Sequence, residues 1–127
     1  RKFNNYELLK ETISKIINIE KINCVICDVT NENNNLAETF AKEYNKKIKI
    51  FIPDWELYGL KASFIKNSLI VKEIDIIFIF WDGCSSAITD IIEKTMKAKK
   101  PLVIVNYLEQ EENKISKFNF DLFEGIT

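Results

Sequence analysis

Residues 75–81 read Asp-Ile-Ile-Phe-Ile-Phe-Trp, with apolar side chains at consecutive positions. Successive side chains of a strand point to opposite faces, so both faces of this one need cover. That pattern belongs to a strand in a parallel sheet with helices packed on each side. Around it, apolar residues recur at helical spacing and at strand spacing in turn. Tyr6, Leu9, Ile13, Ile16 and Ile17 mark a helix, and residues 22–27 a short β-branched strand. Leu36, Ala37, Phe40, Ala41 and Tyr44 mark a second helix, and residues 48–52 a strand stopped by Pro53. A loop through Gly59 leads to a helix carrying Leu60, Phe64, Ser68, Val71 and Ile74. After the turn at residues 82–86, Ser85 or Ser86 is placed to cap a helix striped by Ile88, Ile91, Ile92, Thr95 and Met96. Pro101 ends it, residues 102–107 form the last clear strand, and an acidic spacer precedes an apolar tail at 118–123. Strand and helix alternate throughout, which predicts an α/β fold with a parallel sheet and right-handed crossovers. The 127 residues suit one domain spanning 1–127, with its C-terminal tail from about residue 108.

The chain has no histidine, which excludes Ser-His and Cys-His dyads, histidine metal sites and histidine bases. With 18 basic and 19 acidic residues the net charge is -1, too even to draw nucleic acid or anionic lipid. No apolar run approaches the roughly 20 residues of a membrane helix. Three cysteines, an odd count in a chain that is not Cys-dense, point to a reduced, cytoplasmic setting. Cys24 and Cys27 form a C-x-x-C on a strand, where odd separation turns them to opposite faces. They read as buried thiols rather than a redox pair, and Cys84 as an exposed loop residue. Neither a metal site nor a cofactor is predicted.

Ligands of open α/β sheets bind outside the carboxyl ends of the strands. Three loops lie there: residues 28–35, 53–59 and 81–86. They carry both tryptophans, each beside an aspartate: Asp54 with Trp55, and Trp81 with Asp82. Two large aromatics with carboxylates suit a flat ring bearing polar substituents. The competing reading makes both tryptophans structural cover for the sheet end.

At these loops the sequence resembles the YspA-like branch of the SLOG superfamily, Rossmann-like relatives of the cytokinin-activating phosphoribohydrolases and DprA. The likeness is carried by FIPDWELYG (51–59), ASFIKN (62–67), DIIFIFWDG (75–83) and LAETFAKE (36–43), and extends over about residues 1–105. It implies a three-layer sheet and a pocket for a nucleotide-derived ligand. Relatives open with a central strand ending Gly-Ser-Arg; this chain starts at Arg1, which would end that motif. The resemblance thus implies a sheet lacking its first, central strand: either the chain is truncated, or another segment, a second copy or a partner chain fills the gap. Relatives also carry a Gly-rich phosphate loop after the next strand, where this chain has Asp28-Val29-Thr30-Asn31-Glu32-Asn33-Asn34. Without glycines, backbone N–H groups cannot close on a phosphate. After the FWDG turn Ser85 is kept, but Ala87 and Ile88 replace a Gly-Thr pair. Ile91 stands where the hydrolases place a catalytic glutamate. Lys66 replaces an arginine and loses its bidentate fork, while Asn67 matches.

The expected function is non-enzymatic binding of a nucleotide-like molecule by Arg1, Asp54, Trp55, Lys66, Asn67, Trp81, Asp82, Gly83 and Ser85. Two alternatives stand beside it. One is a structural or interaction domain that has lost ligand binding. The other is an enzyme cleaving N-glycosidic bonds, with Asp82 and Glu93 as its catalytic candidates.

Overall fold

The computed structural model describes residues 5–28, 36–81, 83, 85–107 and 115–122. Helix α1 (Tyr6–Ile16) opens at Asn5, whose side chain accepts from the Leu8 N–H at 3.0 Å. It is followed by β1 (Cys24–Asp28), α2 (Leu36–Glu43), β2 (Lys47–Phe51), the short α3 (Trp55–Tyr58) and α4 (Ala62–Glu73). Then come β3 (Ile77–Trp81), α5 (Ser86–Lys97), β4 (Leu102–Asn106) and β5 (Ile115–Phe118).

Among the described residues the strands fall into two sheets: β1 parallel to β2, and β3 parallel to β4 with β5 added antiparallel. The class is mixed α/β, and the purely parallel sheet expected from the sequence acquires an antiparallel edge. β5 begins within the stretch expected to be spacer and tail. Pairing Val105 with Ile115 and Leu102 with Phe118 covers the otherwise open side of β4. The loop expected after Pro53 also contains α3, which Asp54 caps by accepting from the Leu57 N–H at 3.0 Å. Gly59, at φ 57°, turns the chain out of that helix in a conformation glycine adopts without steric penalty.

Two apolar clusters cover the strands. Ile70 and Val71 of α4, with Ile74 after it, pack with Ile91 of α5 and Leu102 of β4. Ile77, Ile79 and Trp81 of β3 belong to the same cluster. Leu9, Ile13, Ile17 and Phe40 form the other, against Val25 of β1 and Phe78 and Phe80 of β3. Alternate residues of β3 therefore enter opposite cores, as its two-faced apolar sequence requires. Fully burying each such side chain contributes about 1.5–3 kcal/mol.

Two lysines, Lys94 on α5 and Lys100 after it, make specific contacts. Lys94 Nζ reaches Asp90 at 2.6 Å and the Phe64 carbonyl at 2.9 Å, joining α5 to α4. Lys100 Nζ donates to the carbonyls of Val71 at 2.6 Å and Ile74 at 2.9 Å, at the end of α4. A cation there satisfies carbonyls the helix leaves open and complements its dipole.

Glu43, at the end of α2, accepts from the Tyr6 hydroxyl and pairs with Lys10 Nζ at 3.1 Å, fastening α1 to α2. The Tyr6 hydrogen bond, then Lys10, holds its carboxyl below the usual range. Its folded pKa is thus lower than its unfolded one. The stabilisation is complete above the unfolded value, about 4.3, and fades as pH falls through the folded value. Glu43→Gln should flatten the acid limb of stability against pH, measured by urea midpoints between about pH 3 and pH 7. An unchanged acid limb would deny the contact a role.

Candidate functional site

Lys66 and Asn67, adjacent on α4, are almost fully buried at 3% and 1% exposure. A lysine is seldom buried unless paired, and Lys66 is paired with Asp28, the last residue of β1. The Asp28 side chain keeps 41% of its exposure while that of Lys66 keeps 2%. Asn67 donates through Nδ2 to the Ala87 carbonyl at 2.8 Å and to Asp90 Oδ2 at 3.1 Å, in the first turns of α5. Asp90 in turn holds Lys94. A polar network therefore runs from the carboxyl end of β1, across α4, to the start of the helix that follows β3.

Trp81, the last residue of β3, packs into the apolar cluster of α4 and α5. Its indole Nε1 is buried with no hydrogen-bond partner among the described residues. A buried donor left unpaired costs about 1–3 kcal/mol, so an acceptor placed there is rewarded. Gly83 holds φ 90° in the turn after the strand, a conformation that side chains rarely adopt. Ser85 caps α5, its hydroxyl accepting from the Ile88 N–H at 3.3 Å.

Trp55 is exposed at 52%, in a stretch that also exposes Ile52 at 67%, Leu57 at 67% and Leu60 at 92%. Asp54 spends one carboxylate oxygen on capping α3. Glu93 is exposed on α5. Arg1 and Asp82 lie outside the described residues, as do Cys84 and residues 29–35 of the expected phosphate loop.

The structure thus joins Lys66, Asn67 and Ser85 around the start of α5 and the end of β1, each bonded to protein groups. Sequence reading assigned Lys66, Asn67 and Ser85 to a ligand and overlooked Asp28 and Asp90 as their partners. Asp28 was legible only as a charge in a loop that should hold glycine. Asp90 sits one helical step from Lys94, the i,i+4 spacing of a helix ion pair, which was the signal available for it.

The C-x-x-C splits as its odd spacing demands: Cys27 is fully buried and Cys24 is exposed. The expectation that both thiols are buried is corrected for Cys24, which lies at the exposed entry of β1. Burial pushes the Cys27 thiol up to about 11, so it is a poor nucleophile near neutral pH. Among the described residues, no three His, Cys, Asp or Glu side chains gather to hold a metal ion. No helix among them is long and apolar enough to cross a membrane. Compared with known proteins, the chain matches no family model, no curated protein and no solved structure.

Proposed function

We propose that the chain is a non-enzymatic, Rossmann-like three-layer domain that binds a nucleotide-derived small molecule at the carboxyl ends of β1 and β3. The observation carrying this reading is the unpaired Trp81 Nε1, a buried donor at the end of a strand beside the Gly83 turn. An oxygen of a base or sugar reaching it would replace a penalty with a hydrogen bond. The Asp28–Lys66 pair at the end of β1 and the Asn67–Asp90 pair at the start of α5 add both donors and acceptors, which favours a polar neutral group over a bare phosphate. Because Asp28 neutralises Lys66, the ligand is held more by its base and sugar than by its anionic tail. The lost glycines of residues 28–34 agree with this.

A second reading, an interaction domain that has lost ligand binding, is favoured by the exposed apolar stretch from Ile52 to Leu60. One titration separates the two. In Trp55→Phe, where Trp81 is the remaining tryptophan, adenosine, AMP and ADP-ribose should shift or quench the fluorescence saturably. No response to any of them at millimolar concentration would overturn the binding reading and leave the second standing.

A further inference from the structure

Between β2 and α4 the chain is fixed at both ends and bare between them. Pro53 is buried just after β2, and Ala62 is buried as the first residue of α4. Every residue from 54 to 61 is exposed. α3 lies in this stretch and packs chiefly against its neighbours in sequence, the turn at Gly59–Lys61 and α4. Its four residues are too few for a helix to hold itself in water.

Both ends of the stretch converge on one residue. In the parallel pair of β1 and β2, Phe51 stands opposite Asp28, so the stretch leaves the sheet just beyond that level. It rejoins the fold at α4, where Lys66, about 6 Å along the helix from Ala62, is paired with the same Asp28. α4 is held there, since Asn67 is bonded to Ala87 and the Phe64 carbonyl to Lys94. Residues 54–61 therefore arch beside the carboxyl end of β1. The arch carries Trp55, Leu57, Tyr58 and Leu60, large apolar side chains that are all exposed. A cluster of this kind marks a surface that something covers. Its joint is Gly59, at φ 57° and ψ -133°. A Cβ there would meet nothing within 4 Å, so the glycine serves backbone conformation rather than packing.

We infer that residues 54–61 form a strap that pivots at Gly59 and closes over a ligand held at the carboxyl end of β1. The inference rests on the binding reading above and adds a moving part to it. In the open chain the apolar side chains of the strap face water. A base ring seated beside Asp28 gives Trp55 a flat partner to stack on and lets the strap bury those side chains. The ligand thus has contacts in the closed form that the open form lacks, which is what it needs to shift the equilibrium. Gly59 is the kind of position that absorbs the change of φ and ψ in such a motion. Closure also brings up Asp54 and Glu56, both exposed, and their charges favour a neutral ring and sugar over a phosphate on that side. Once the strap is shut, the ligand leaves only when it reopens.

The test uses the full chain with fluorotryptophan at both tryptophans, the two fluorine resonances being assigned with Trp55→Phe. Adenosine and AMP should shift both resonances saturably with one midpoint. Broadening of the Trp55 resonance by a soluble gadolinium chelate should fall about threefold or more at saturation. Leu57→Ser combined with Leu60→Ser should keep the urea midpoint, because both side chains are already exposed, yet speed ligand dissociation about tenfold. A shift at Trp81 alone, with Trp55 as open to the chelate as before, would overturn the strap and leave the binding reading standing. Dissociation from the double serine variant at the unaltered rate would overturn the strap in the same way. No shift of either resonance at millimolar ligand would overturn both. A concentration-dependent dimer that shields Trp55 without ligand would overturn the strap in favour of an interface between copies.

Discussion

Asp28→Ala should destabilise the fold by about 2–3 kcal/mol, while Lys66→Met should change it by less than about 1 kcal/mol. The two substitutions break the same ion pair, but the residues left behind differ. Without Asp28, the Lys66 ammonium stays in a site where its side chain is 2% exposed, with its countercharge gone. Removing one partner of a fully buried pair costs about 3–5 kcal/mol; the 41% exposure of Asp28 places this case below that range. Without Lys66, the Asp28 carboxylate is left where water already reaches it, and methionine fills the volume of the lysine stem. The difference should persist at high salt, because a shielded charge is weakly screened. Urea unfolding of the two variants at neutral pH measures it, and equal losses would show that the charge on Lys66 is solvated in the folded chain. The same pair of variants bears on binding: Asp28→Ala frees a cation at the strand end, so affinity for AMP over adenosine should rise if a ligand sits there.

The burial of Lys66 could not be read from the sequence, and the reason is physical. In ASFIKN the lysine reads as a ligand-facing charge in place of an arginine, since a lysine is seldom buried against the protein itself. Its partner lies 38 residues away on a strand, at a separation that no local spacing rule covers. Asn67 was marked as a site residue for its chemistry, but its bond to the Ala87 carbonyl depends on how α4 and α5 cross. By contrast, the two-sided burial of β3 was legible, because five consecutive apolar residues allow only one kind of environment in a strand. The ends of β1 and β2 were found to within about two residues, the ordinary precision of such boundaries. β5 was missed because Ile115-Ser-Lys-Phe has no strong pattern: Ser116, Lys117 and Phe118 are exposed, and only pairing with β4 makes them a strand. α3 was missed because Pro53 and Gly59 bracket it so closely that punctuation outweighed the capping aspartate. The apolar walls of the break between the two sheets come from segments that were each legible as amphipathic.

Phe40→Ala should cost about 3–5 kcal/mol, the range for removing a buried aromatic ring. Phe40 is 2% exposed and sits among Leu9 and Ile13 on the buried face of α1 and Ile17 just after it. Its ring lies 4.9 Å from that of Tyr44, tilted by 49°, a geometry that adds to simple burial. Helix α2 has only eight residues, below the length at which a helix holds itself in water, so it depends on this contact. Domains of this size are stable by about 5–15 kcal/mol, so one ring accounts for a large fraction. Phe40→Leu, which keeps most of the volume, should cost no more than about 1.5 kcal/mol. Urea unfolding followed by far-ultraviolet circular dichroism reads both variants. Phe40 also lines the cavity between the sheets, so alanine widens it on the side of α1 and α2. A loss of under about 1 kcal/mol for Phe40→Ala would mean that α1 and α2 do not form a core layer over β1 and β3.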